Sequence, residues 1–155
     1  PKIGIEVINK DFPDPVMARA EYWLPFIKEL GADEDTILIG HSSGAVAAMR
    51  YAEANQLLGS IWVGACWTDL GLESEKVSHY YDHPWDWGAI KRNQKWVIEF
   101  ASTDDPFIPI DEARYIAEHL SLGTDYHEYT DRGHFGHPSP VTEFPELVEA
   151  VKGKI

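Results

Sequence analysis

The chain has 155 residues and carries 13 Lys and Arg against 26 Asp and Glu, a formal net charge of −13. That length suits one domain, 1–155, and buries enough surface to fold without a metal or disulfide staple. The composition, 44% hydrophobic and 25% charged, argues against disorder. A surface poor in Lys and Arg makes nucleic acid a poor partner. The longest mostly apolar run, 61–67, is far short of the ~20 residues of a membrane span. Cys66 is the single cysteine, so no internal disulfide is available. An unpaired thiol with no signal-like apolar stretch points to the cytoplasm.

The predicted elements alternate. Residues 2–8 read as a short strand, with Ile3, Ile5 and Val7 on one face. Phe12-Pro13-Asp14-Pro15 ends it, because proline cannot donate to a ladder. Val16, Ala20, Trp23, Ile27 and Leu30 recur at helical spacing, with Asp14 as N-cap, Pro25 as a kink or interruption and Gly31 as the stop. Residues 36–40 (TILIG) have the β-branched, apolar character of a strand buried on both faces. An Ala-rich helix follows over 43–54, then strands at 60–66, 95–101 and 125–130, the last more polar and nearer an edge. Helices are expected at 111–122 and 142–152. This order predicts an α/β fold, a mostly parallel sheet with helices on both faces. Residues 67–93 break the rhythm, rich in Trp and Tyr and too long for a plain connection.

Gly40-His41-Ser42-Ser43-Gly44 sits between the TILIG strand and the Ala-rich helix. That is G-x-S-x-G in the strand–turn–helix setting of a nucleophile elbow. Such a turn lifts Ser42 to its tip, Gly40 and Gly44 let backbones approach, and the Ser43 N–H can face a developing oxyanion. A serine nucleophile needs a base and a group that orients the base. Both are available at later strand ends. Asp104 and Asp105 follow the 95–101 strand, and His134 follows the 125–130 strand. Asp105, stiffened by Pro106 and Pro109, is preferred over Asp104 as the partner of His134. Asp104 is read as a solvated or turn-capping carboxylate.

The segments FPDPVMARAEYWLPF, ILIGHSSGAVAAMRYAE, HPWDW, FASTDDPFIP and TDRGHF resemble the serine hydrolase family of retinoblastoma-binding protein 9. The resemblance spans nearly the whole chain and implies a compact α/β-hydrolase fold with no metal. It carries the nucleophile onto Ser42, the acid onto Asp105 and the base onto His134. Two departures accompany it. Family members have an earlier strand ending in a P-G-N-G-G-G loop that should supply a second oxyanion donor, and this sequence begins after both. A chain confined to these residues is expected to be a weak or inactive hydrolase with an exposed sheet edge. The family's L-x-C-x-E motif for retinoblastoma binding falls on Leu30–Glu34, with Ala32 in place of Cys. That partner is therefore not expected.

Weaker signals remain. Trp85 and Trp87 could wall a substrate pocket or form a local core, and His41 could line the pocket or simply pack. His79 with His83, and His134 with His137, are close in sequence, but a metal site needs three or four convergent ligands. Pro84 also disfavours a helix through His83. No metal and no cofactor are expected. Cys66 reads as a small buried apolar group. The expected activity is hydrolysis of a small ester or amide through an acyl-enzyme on Ser42. The alternatives are a protein-binding scaffold that retains the triad as a relic and, less favoured, a metal-dependent hydrolase.

Overall fold

The computed structural model describes residues 3–137 and 140–155. Its centre is a four-stranded sheet of β1 (Ile37–His41), β2 (Leu57–Val63), β3 (Gln94–Ser102) and β4 (Tyr126–Tyr129). The strands lie side by side in chain order and every pair is parallel. The crossover helices α2 (Ser43–Ala54), α4 (Trp87–Arg92) and α5 (Ile110–Leu120) pack on the same face, where α1 (Ala20–Glu29), which precedes β1, joins them over one core with Trp62 and Val97. A sheet built in one direction by right-handed crossovers has this arrangement. The opposite face is closed by α6 (Pro145–Lys152), which packs with Phe135 and Phe144 against Ile61, Ile98 and Phe100. Helices therefore cover both faces, unequally. Among the described residues no helix is long and apolar enough to cross a membrane.

Several sequence expectations need correction. The strand expected over 2–8 is absent from its described part. Among the described residues, 5–10 make no backbone hydrogen bond, Ile3 and Ile5 pack on the second core, and Val7 and Ile8 are exposed. Lys2 lies outside the described residues. Alternating apolar residues do not make a strand without a neighbour to pair with. Asp14 does not cap α1. It has φ +49° and its carboxylate takes the Arg19 side chain at 2.8 Å, so the helix starts only at Ala20. Pro25 lies within α1 without ending it, whereas Gly31, at φ +89°, follows the stop as expected. The TILIG strand is not buried on both faces: β1 is a sheet edge, and Ile39 is 58% exposed.

The 67–93 segment has little regular structure beyond α3 (Glu73–Lys76) and α4, yet it is firmly tied. Arg50, buried on α2, donates to the carbonyls of Tyr80 (2.6 Å) and His83 (2.6 Å) and pairs with Glu53. Its guanidinium also lies 3.6 Å from the Trp85 ring centre. A rigid planar fork with five donors can satisfy that many acceptors at once, and a lysine cannot.

Glu99 on β3 is fully buried, and neither carboxyl oxygen has a hydrogen-bond partner among the described residues. Burial pushes its pKa well above the carboxylate range. An acid raised in the fold binds a proton that the unfolded chain has already lost, so stability declines as pH rises above the unfolded pKa near 4.5. Glu99→Gln should flatten that decline, narrowing the difference in stability between pH 5 and pH 8. Urea unfolding at the two pH values measures it; equal slopes in both proteins would mean that Glu99 titrates normally.

Candidate active site

Parallel strands end on the same side, so the residues just past β1, β2, β3 and β4 converge at one edge of the sheet. Ser42 follows β1 with φ +54° and ψ −121°, a conformation unfavourable for a residue with a side chain. Its N–H is held by the Val63 carbonyl at 2.9 Å, and its own carbonyl accepts from Ala45 at the start of α2. A Cβ on Gly40 would collide with the Gly44 backbone, so the elbow requires glycine there. Gly44 differs from expectation, because a Cβ at that position would meet nothing. The Ser43 N–H, in the first turn of α2, has no backbone acceptor among the described residues and lies at the positive end of the helix.

Asp105 and His134 meet. The Asp105 Oδ2 lies 2.7 Å from His134 Nδ1, with the side chains only 4% and 10% exposed. A carboxylate on Nδ1 fixes the tautomer with Nε2 free to take a proton. The second Asp105 oxygen accepts the N–H groups of Phe107 (2.8 Å) and Ile108 (3.1 Å), which orients the carboxylate. The hydrogen bond between Ser42 and His134 is not formed: among the described residues the Ser42 hydroxyl has no partner. Such bonds are often long before substrate binds.

Asp104 is more than a solvated carboxylate. Its Oδ1 accepts from Ser102 Oγ (2.5 Å) and from the Gly133 N–H (2.9 Å), while Ser102 Oγ accepts the Arg132 N–H (3.1 Å). Asp104 thus grips the backbone that carries His134. The Ser102 hydroxyl first, then the Gly133 N–H, lower its pKa.

His41 Nε2 donates to the His134 carbonyl at 2.8 Å, tying the elbow to the loop of the base. The burial of its ring lowers its pKa. Trp85 and Trp87 stack on each other at 5.7 Å, and their other ring partners are Tyr81, Tyr115 and His119. Neither ring joins the group around His134. His79 pairs with Asp82 on the surface. Cys66 is buried beside the Tyr81 hydroxyl, and burial pushes its pKa up to about 12, which leaves no reactive thiolate near neutrality.

Sequence reasoning missed Gly64. It has φ +59°, and a Cβ there would lie 3.1 Å from His134 Cε1 and 3.2 Å from Nδ1. The imidazole rests on this bare backbone. Only a glycine just past a strand hinted at it.

A family model described as serine hydrolase matches residues 7–152. The chain belongs to the serine hydrolase family. It is 48% identical to the serine hydrolase RBBP9 of Rattus norvegicus over 153 residues, 98% of this chain and 79% of that protein. The crystal structure of the ydeN gene product from Bacillus subtilis superposes with a TM-score of 0.78 at 24% identity, covering 94% of this chain and 80% of that one. The esterase RhEst1 from Rhodococcus sp. ECU1013 gives 0.52 at 15% identity, covering 92% and 74%. These likenesses identify the fold of this serine hydrolase as that of the α/β-hydrolases.

Two variants test the geometry. Gly64→Ala should lower kcat/KM for an activated ester about 10- to 100-fold by shifting the imidazole, since misplacement by an ångström has that scale of cost. An unchanged value would show that His134 tolerates the added methyl. Asp104→Ala should loosen the His134 loop, seen as faster amide hydrogen exchange at Gly133 and Arg132. It should also remove stability that the wild type holds above the unfolded Asp pKa near 3.8 and loses as pH falls.

Proposed function

We propose that this serine hydrolase cleaves a small ester or amide through an acyl-enzyme on Ser42. Ser42 Oγ attacks the carbonyl while His134 Nε2 takes its proton, and Asp105 holds the imidazole and offsets its charge. The Ser43 N–H receives the developing oxyanion. As the intermediate collapses, His134 returns the proton to the leaving group. Water, deprotonated by the same nitrogen, then frees Ser42. The reading rests above all on the buried Asp105–His134 pair at 2.7 Å, at the strand ends that carry the strained Ser42. No step calls on a metal or cofactor. Small neutral or cationic substrates suit a chain of net charge −13, and a single buried thiol suits the cytoplasm.

A second reading, a binding scaffold with a relic triad, draws on the unpartnered Ser42 hydroxyl. A fluorophosphonate probe separates the two. One adduct is expected by intact mass on the wild type and none on Ser42→Ala. Asp105→Asn and His134→Ala should slow ester turnover on the order of 10³–10⁴-fold. A folded wild type that takes up no probe supports the scaffold instead.

A further inference from the structure

Around His134 the apolar wall comes from Phe107. It sits in the loop after β3, where Ile108 beside it is buried, yet Phe107 itself is 53% exposed. An aromatic ring left half in water gives up burial that folding would favour. Its position is nonetheless fixed. The Phe107 N–H donates to the Asp105 carboxylate at 2.8 Å, and Pro106 and Pro109 bracket the loop. The ring meets His134 edge-on, centroids 5.2 Å apart at 81°, and lies 4.9 Å from His137. Among the described residues the His41 ring is the other ring set against the imidazole, at 4.7 Å, but its Nε2 is committed to the His134 carbonyl.

The chemistry assigns a use to that face. In acyl transfer the leaving atom must come within hydrogen-bond distance of His134 Nε2 to receive its proton. The substituent on that atom therefore lies over whatever flanks the imidazole. We propose that Phe107 determines leaving-group specificity, selecting esters or amides whose alcohol or amine portion is aromatic or bulky and apolar. The assignment rests on the serine hydrolase mechanism above. It moves the apolar substrate wall from Trp85 and Trp87 to Phe107.

The test holds the acyl group constant and varies the leaving group, using 2-naphthyl acetate and trifluoroethyl acetate. Intrinsic reactivity cancels when each variant is compared with the wild type. Phe107→Ala should lower kcat/KM for the naphthyl ester about 10-fold more than for the trifluoroethyl ester, chiefly through KM. Phe107→Leu should recover part of the difference, and Phe107→Tyr most of it. An equal loss on both esters, or a loss confined to kcat, would overturn the proposal by making Phe107 a support for His134. No change on either ester would overturn it too. Labelling of wild-type Ser42 by fluorophosphonate is measured in parallel. A wild type that neither labels nor hydrolyses either ester removes the mechanism itself and the proposal with it, an outcome distinct from an unselective Phe107.

Discussion

Parallel pairing is the constraint on which this molecule depends. Because β1 to β4 run the same way in chain order, four separate segments leave the sheet at one edge. Ser42 leaves β1, Gly64 leaves β2, Asp104 and Asp105 leave β3, and the loop with His134 leaves β4. No two of these groups are near in sequence apart from the aspartates. The register brings them together, since Ser42 hangs from the β2 carbonyl of Val63 and the Thr103 N–H from the β4 carbonyl of Tyr129. An antiparallel sheet would send alternate strand ends to opposite sides and separate nucleophile from base.

The adjacent aspartates divide the work of holding that base. Asp105 faces the ring of His134, and Asp104 faces the backbone one residue earlier, at Gly133. One sets the imidazole's tautomer and the other sets where the imidazole is. The arrangement also explains why both residues are charged. Asp104 gathers a hydroxyl and an N–H, and Asp105 gathers two N–H groups and an imidazole. A carboxylate is the side chain best suited to accept several donors at once.

Much of this was legible from the residues alone. The run TILIGHSSG carries strand, turn and helix start within nine residues, and two apolar runs with one more polar run mark the three further strands to within a few positions. Those features are local, and local patterns are what a sequence displays. The residues that escaped notice act at long range. Arg50 reads as a polar position on an Ala-rich helix until the carbonyls of Tyr80 and His83 close on it from 30 and 33 residues away. Gly64 matters only because His134 lies against it. The alternation of Ile3, Ile5 and Val7 misled for the same reason in reverse. It suggested a strand's face, but a pattern cannot supply the neighbouring backbone a strand requires, and Val7 is left exposed while Ile3 and Ile5 pack on the second core. Trp85 and Trp87 were conspicuous by type, whereas the ring beside the imidazole, Phe107, was one apolar residue in a loop.

Helix α2 links the site to the rest of the fold. Its first turn carries the Ser43 N–H beside Ser42, and two turns later its Arg50 holds the segment from Tyr80 to Trp85. The small residues between them, Ala45, Ala47 and Ala48, and Ala52 just beyond, are buried and let the helix lie close against β1 and β2. Side chains that short leave little room for the helix to rock on the sheet. The same rigid body therefore sets the nucleophile's turn and fixes the long aromatic connection, which is how a segment with almost no secondary structure of its own keeps a defined position. Strain at Ser42 needs such a support. An unfavourable φ persists only where the surrounding contacts outweigh it, and here the buried face of α2 on one side and the Val63 carbonyl on the other supply those contacts.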